Sequence, residues 1–170
     1  WYEVHAIRNS NTDDRALILH KCPITQQDQS FTTTTDSSTS LRKVTSTALK
    51  FSQSFVPALS GPLTSVEFEV TKTGSPTGLM WVTLEADDSG NPSGTPLATS
   101  RIMDVSRLPA DKGRLRYLFD TNTSVSVGTT YHLVYQSDST LSDSNYISLW
   151  GTSAGGYANG SAKELHGSSW

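Results

Sequence analysis

The stretch 51-FSQSFVPALSGPLTSVEFEV-70 decides the fold class, because it ends in residues that alternate in polarity. In 66–70 (VEFEV), apolar residues occupy every second position and glutamates stand between them. Successive side chains of a β-strand point to opposite faces, so this run predicts a strand with one buried and one solvated face. In 51–55 (FSQSF), the two phenylalanines likewise share a face.

Turn signals divide the rest of the chain into further short strands. Residues 74–78 (GSPTG) predict a turn that leads into a strand at 79–86, where Trp81 lies on the face opposite Met80 and Val82. A longer loop is predicted at 87–94, and later strands are predicted at 97–103, 114–119, 129–137 and 145–151. The tail 151–170 is loop-like and has room for one final strand. This spacing predicts an all-β fold: an antiparallel two-sheet sandwich that is jelly-roll-like.

The sequence divides into three parts. Residues 1–23 predict a β-hairpin, with alternating strands on either side of the polar turn 9–14. Residues 24–47 are rich in Ser and Thr and poor in aliphatic residues, which predicts a linker or an extended arm. The predicted sandwich occupies residues 48–170.

Composition excludes several classes of function. The net charge is −3 and the 13 basic residues are mixed with 16 acidic ones. Nucleic-acid binding needs clustered Lys and Arg, so we predict no nucleic-acid partner. No apolar run approaches the roughly 20 residues that cross a bilayer, so no membrane insertion is predicted. The single cysteine, Cys22, excludes an internal disulfide framework.

Four segments carry a resemblance to a known type of module: 51–55 (FSQSF), 60–98, 125–135 (VSVGTTYHLVY) and 157–170 (YANGSAKELHGSSW). They resemble the choice-of-anchor-type β-sandwich modules of bacterial surface proteins and phage tail proteins. The shared features are an aromatic-Gln-Ser-Phe start, a Gly-Ser-Pro-x-Gly hairpin and a Gly-Thr-Thr-Tyr strand entry. The resemblance covers about residues 48–170 and implies an extracellular β-sandwich.

The N-terminal segment carries a separate resemblance. WYEVHAI (1–7), the acidic turn at Asp13 and Asp14, and ALIL (16–19) are similar to a hairpin of phage tail-fibre and tail-spike proteins. The turn lacks the glycine of that pattern, and no Pro-x-Gly-Tyr segment follows. Such fibres and spikes are generally homotrimers, so the resemblance implies sister chains and other virion proteins as partners.

The sequence predicts no enzyme and no cofactor. It holds no GxSxG nucleophile elbow and no HExxH or CxxC metal motif. A glycosidase needs paired carboxylates, but Glu67, Glu69 and Glu85 lie on strand faces that look solvated. His132, within TYHLVYQ, is interpreted as a packing residue.

The loop at 87–91 (DDSGN) is a weak calcium candidate. Asp87, Ser89 and Asn91 offer oxygens at alternating positions, as at the start of an EF-hand loop. Pro92 and the missing distal glutamate break that pattern. A turn stabilised by Asp and Gly is favoured, so the sequence predicts no metal.

Four aromatic residues are the candidate ligand-binding side chains. Trp81, Trp150, Tyr157 and Trp170 could stack on sugar rings, whereas burial in the core or in a subunit interface is the competing interpretation for each.

Two functions remain open at this point. The first is a structural and adhesion module of a phage virion appendage, such as a tail fibre or spike, that contributes to assembly and host-surface attachment. The alternative is a carbohydrate-binding module of a bacterial surface or secreted protein, and the location would then be the cell surface or the medium instead of the virion.

Overall fold

β-Strands form nearly all of the regular structure in the part of the chain that is described. The computed structural model describes residues 2–8, 15–21, 37–46, 48–140, 142–151 and 157–170. The strands are β1 (Tyr2–Arg8), β2 (Arg15–Lys21), β3 (Ser37–Leu41), β4 (Ala48–Phe55), β5 (Gly61–Pro62), β6 (Ser65–Thr73), β7 (Leu79–Asp88), β8 (Asn91–Thr99), β9 (Met103–Asp104), β10 (Gly113–Leu118), β11 (Ser124–Val125), β12 (Tyr131–Ser137), β13 (Tyr146–Gly151) and β14 (Ala162–His166). A short 3-10 turn spans Val105–Arg107.

Two antiparallel sheets make the sandwich. The first sheet has the strand order β10–β6–β13–β3, and the second has the order β14–β4–β12–β7–β8, with β9 beside β7. Early strands pair with late ones in a nested series: β3 with β13, β4 with β12, β6 with β10, and β7 with β8. This nesting is the jelly-roll arrangement, so the predicted fold is confirmed. β14 adds a strand beside β4.

Aromatic side chains join the two sheets at the centre of the core. Phe68 of the first sheet meets Tyr135 of the second edge-on, with ring centroids 5.6 Å apart. The Tyr117 hydroxyl donates to the Tyr135 hydroxyl at 2.7 Å, and both hydroxyls lie against the Met80 sulfur. Burial raises the pKa of both tyrosines. Edge-on rings with paired hydroxyls satisfy the polar atoms of an otherwise apolar core.

The alternation at 66–70 produces the expected faces. Val66, Phe68 and Val70 pack into or against the core. Glu67 and Glu69 point outward and meet Arg116 and Arg114 of the neighbouring strand β10. The half-buried strand predicted from this stretch is therefore confirmed.

The GSPTG turn does not close a hairpin. It links β6 of the first sheet to β7 of the second, and these two strands do not pair. Gly74 (φ 67°) and Gly78 (φ 123°) supply left-handed backbone that other residues rarely adopt. A Cβ at Gly74 would also collide with the Ser144 carbonyl, so the turn is packed against the next loop.

The predicted loop at 87–94 is shorter than expected. Ser89 and Gly90 both have positive φ and form a tight turn, after which β8 begins at Asn91. β8 therefore starts ahead of the strand predicted at 97–103, although it contains Pro92 and Pro96. It is the edge strand of its sheet, where a proline removes no ladder hydrogen bond that the fold needs.

The N-terminal hairpin prediction is confirmed in the backbone, where Tyr2–Arg8 pairs in continuous antiparallel register with Arg15–Lys21. The sandwich begins at Ser37, because β3 forms inside the segment 24–47 that the sequence assigned to a linker or arm. The remainder of that segment at 24–36, the hairpin turn at 9–14 and Cys22 lie outside the described residues.

Candidate functional site

The outer face of the second sheet carries a layer of buried polar side chains. On β7, Met80, Val82 and Leu84 fill the core, so the residues between them point to the other side of the sheet. Strand register places these residues beside side chains of β12, which in turn lie beside side chains of β4. The polar layer consists of Ser52, Ser54, Thr83, Glu85, His132 and Gln136, all of them buried.

His132 links β4 and β7 through both of its ring nitrogens. Its Nδ1 lies 3.0 Å from the Ser52 hydroxyl, and its Nε2 lies 2.7 Å from Oδ1 of Asp87. An ionised carboxylate can only accept, so Nε2 carries the proton and donates to Asp87; in the neutral ring, Nδ1 then accepts from the Ser52 hydroxyl. The three side chains form one continuous hydrogen-bonded chain across three adjacent strands.

The environment of Asp87 favours its ionised form. The hydrogen bond from His132 and that from the Gly90 amide lower the pKa of the Asp87 carboxyl, against a smaller opposing effect of desolvation. Asp87 thus anchors the β7–β8 turn to the polar layer through His132.

The order Ser–His–Asp resembles a hydrolase triad, but the geometry differs. In that triad, the serine bonds Nε2 and the aspartate bonds Nδ1, whereas His132 has these roles reversed. A nucleophile must also meet its substrate, and the exposure of Ser52 is 0%. In this fold, the hydrogen-bonded series Ser52–His132–Asp87 connects strands and does not present a nucleophile to solvent.

Glu85 is the buried carboxylate of the polar layer. It is 2% exposed, and it accepts from the Thr83 hydroxyl at 2.9 Å and from the Gly94 amide at 2.8 Å. Gln136 donates to Thr83 at 2.8 Å and so extends the network to β12. The interpretation of Glu85 as a solvated residue was therefore wrong, because its face of the sheet is buried.

Sequence reasoning missed this network. His132 was expected to pack, and it is buried, but its two hydrogen bonds reach residues 80 and 45 positions away in the chain. Alternation does place His132 opposite Tyr131 and Leu133. The register that brings Ser52 and Asp87 beside it comes from strand pairing, which carries no local signal.

The four candidate aromatic residues do not converge on one site. Trp81 is half-buried on the outer face of the second sheet, where Gln136 is its register partner. Trp150 is half-buried on the outer face of the first sheet, on the opposite side of the sandwich. Tyr157 packs against the core. Trp170 is half-buried beyond the turn that follows β14.

The oxygens of the weak calcium candidate have partners within the protein. Both carboxylate oxygens of Asp87 accept hydrogen bonds, and Oδ1 of Asn91 accepts from the Lys163 ammonium at 2.7 Å. The Ser89 hydroxyl donates to Asp88. Among the described residues, no group of three or more His, Cys, Asp or Glu side chains is placed to hold a metal ion.

A second feature lies on the outer face of the first sheet, where each of two aromatic rings of β13 makes a cation–π contact with a lysine. Lys43 Nζ is 4.8 Å from the Tyr146 ring centroid, and Lys112 Nζ is 5.1 Å from that of Trp150. The Trp150 indole donates to the Thr71 hydroxyl at 3.2 Å. We call Tyr146, Ser148, Trp150 and Thr71 the aromatic strip.

Comparison with protein-family models, with curated proteins and with solved structures finds no match for the chain. Within the residues that the structure describes, no helix has the length and apolar character that crossing a membrane takes.

Proposed function

We propose that this chain is a structural and adhesion module of a phage virion appendage, such as a tail fibre or spike. In this role, the sandwich is a rigid displayed body that assembles with sister chains and contributes to host-surface attachment. The sequence resemblance and the jelly-roll fold support the proposal, although a fold alone does not fix a function.

One observation carries the assembly part of the proposal: an exposed apolar edge. Leu97, Ile102 and Leu118 are all large apolar residues with 40% exposure or more. The backbone at Ile102 and Leu118 comes together where edge strands β8 and β10 meet, because the amide of Arg101 donates to the Leu118 carbonyl at 2.8 Å and Ser100 bridges to Phe119. Leu97 lies on the same edge, three residues before Ser100. Clustered exposed apolar side chains mark protein contact surfaces, and sister chains are the occupants we propose.

The proposal includes no enzymatic activity. The residues that could form a hydrolytic centre, Ser52, His132 and Asp87, are tied into a buried chain across the second sheet. Buried polar networks that are fully bonded make a structure rigid and specific. Rigidity suits a body that must transmit attachment between a particle and a surface.

Light scattering coupled to size-exclusion chromatography tests the assembly. We expect the wild-type chain to elute with a mass about three times that of one chain, as trimeric appendages do. The double substitution Ile102→Ser with Leu118→Ser should give a folded monomer, because it removes the apolar contact. The matched control is Val44→Ser, which changes an exposed apolar residue in the β3–β4 turn and should leave the trimer intact.

A wild-type monomer with a complete β-sheet spectrum, at concentrations where appendage proteins assemble, would contradict the proposal. Dissociation by Val44→Ser with no effect of the double substitution would place the interface elsewhere.

Carbohydrate recognition is the second candidate function. The observation that favours it is the aromatic strip, because half-buried rings on a sheet face can stack against the apolar face of a pyranose.

A further inference from the structure

We infer that the side chains of Lys163 and Asn91 form a covalent amide cross-link between the last strand of the sandwich and the start of β8. Asp87 is the residue that we assign as the proton carrier of the reaction. The cross-link goes beyond the assembly and attachment proposed above and depends on neither.

The two reacting residues come from opposite edges of the second sheet. Lys163 belongs to edge strand β14, and Asn91 is the first residue of edge strand β8. Two register shifts in the pairing of β7 with β8 bend the tip of this hairpin. At the tip, Asp87 reaches His132 of β12, and Asn91 reaches Lys163 of β14. The tip thus lies across the outer face of the sheet and brings the two edges into contact.

The Lys163 amine lies close to the carbon atom that it would attack. Its Nζ is 2.7 Å from Oδ1 of Asn91, and both residues are half-buried. Because the bond from Oδ1 to Cγ is about 1.23 Å long, a hydrogen bond of that length puts Nζ about 3–4 Å from Cγ. A nucleophile held at such a distance from a carbonyl carbon reacts far faster than a free one.

Asp87 has the capacity to move a proton at this site. Its Oδ1 accepts from His132 and its Oδ2 from the Gly90 amide, which leaves lone pairs on both oxygens. These two hydrogen bonds, and to a smaller extent the charge of the nearby Lys163, lower the pKa of the Asp87 carboxyl. The carboxylate is therefore ionised, near the amine and held in place.

The reaction is a transamidation that needs no reactant besides the two side chains and water. The Lys163 ammonium loses a proton to water, and the neutral Nζ attacks Cγ of Asn91 as the carbonyl electron pair moves to Oδ1. Asp87 takes a proton from Nζ and gives it to Nδ2. The electron pair on Oδ1 then re-forms the carbonyl, the Cγ–Nδ2 bond breaks, and ammonia leaves and takes up the proton that water received. The protein loses one NH3, about 17 Da.

The cross-link would stabilise the fold through the unfolded state. Lys163 and Asn91 are 72 positions apart, so the bond closes a long loop of chain. Closing a loop restricts the unfolded chain, and the restriction grows with loop length. We expect the Tm to lie about 10 °C above that of the same chain without the bond.

Intact-mass spectrometry of the full chain tests the inference. The purified protein is incubated at about pH 9, where more lysine side chains are neutral amines. We expect a loss of about 17 Da. Trypsin should then release a branched peptide that joins residues 73–101 to residues 117–170, because a lysine in an amide bond is not cleaved.

Three variants separate the cross-link from the hydrogen bond. Lys163→Arg keeps the positive charge and a donor but has no reactive amine, so it should keep its full mass and lose the gain of about 10 °C in Tm. Asp87→Asn still offers an acceptor to His132 and should slow the loss of ammonia about 100-fold. Lys50→Arg, on the neighbouring strand β4, should cross-link at the wild-type rate.

Three results would overturn the inference: wild-type protein that keeps its full mass, a digest of the wild type without the branched peptide, or a loss of ammonia that persists in Lys163→Arg and so comes from another residue. The mass and the digest are measured on the wild-type chain itself, so they decide the outcome even if a variant fails to fold.

Discussion

The outer faces of the two sheets are built from similar sequence patterns and have opposite environments. On the first sheet, Glu67 and Glu69 meet arginines of the next strand, and Glu67 and Arg116 remain exposed to water. On the second, Glu85 occupies the same kind of alternating position but is almost fully buried and is held by Thr83 and Gly94. Burial, and not residue type, separates a solvated charge from a structural one.

The comparison has an energetic consequence. An exposed ion pair is worth about 0–1 kcal/mol, because water and salt screen it. A buried polar group that loses its partner costs about 1–3 kcal/mol, and more if it is charged. Substitutions in the polar layer should therefore lower the free energy of unfolding far more than substitutions in the ion pairs between β6 and β10, although both sets of contacts join neighbouring strands.

The largest effect is expected at His132. His132→Ala would leave Ser52 without its acceptor and Asp87 without its donor, and it would open a space in a buried layer. We expect a loss of about 3–5 kcal/mol in the free energy of unfolding, measured by urea titration. The control, His166→Ala, changes an exposed histidine and should cost less than about 0.5 kcal/mol. Equal losses in the two variants would mean that the polar layer does not stabilise the fold.

A matched pair of glutamate substitutions makes the contrast between the faces sharper. Glu85→Ala leaves the Thr83 hydroxyl and the Gly94 amide without their acceptor, so we expect a loss of about 2–4 kcal/mol. Glu67→Ala removes one exposed partner of Arg116 and should cost at most about 1 kcal/mol. The free energy of unfolding of both variants is measured by chemical denaturation at neutral pH. A larger cost for Glu67→Ala would reverse the assignment of the two faces.

Within the polar layer and its anchor, the smallest effect at neutral pH is expected for Asp87→Asn, whose amide oxygen still accepts from His132. The neutral bond is weaker than the charged one, so a loss of about 1 kcal/mol is expected. The variant and the wild type differ more clearly in how their free energy of unfolding depends on pH. His132 holds the pKa of Asp87 below its ordinary value of 3.8 in the folded state, so this stabilisation is present above pH 3.8 and is lost as the pH falls through the folded value.

Unfolding free energies measured from about pH 5 to about pH 2 should therefore decline less in Asp87→Asn than in the wild type. The control is Asp88→Asn, which leaves the contact between His132 and Asp87 intact. An equally steep decline in the Asp87 variant would show that this carboxylate does not contribute to acid sensitivity.

The sequence predicted what depends on neighbours in the chain. The alternation in 66–70 sets which side chains of β6 face the core, and the glycines of 74–78 mark where the chain turns. Both are local, since they follow from the two-residue period of a strand and the backbone freedom of glycine.

Strand partners are not local, and there the predictions were less accurate. The turn at 74–78 crosses between sheets instead of closing a hairpin, because β6 pairs with β10 and β13. β3 has one apolar buried residue, Leu41, and is ordered by pairing with β13 more than a hundred positions away. The aromatic strip depends on the same kind of pairing, so no local sequence pattern pointed to Tyr146 or to the lysines Lys43 and Lys112 that lie over its rings.

The strand order also determines how the sandwich would bear a mechanical load. β3 begins at Ser37, beside Gly151, whereas β14 ends at His166, beside Ala48 at the opposite end of the sheets. Tension applied through these two points runs along the edge strands, and antiparallel ladder bonds lie perpendicular to that direction. Several bonds must then fail together in shear instead of one at a time by peeling, which makes the module suited to stay folded while it is pulled.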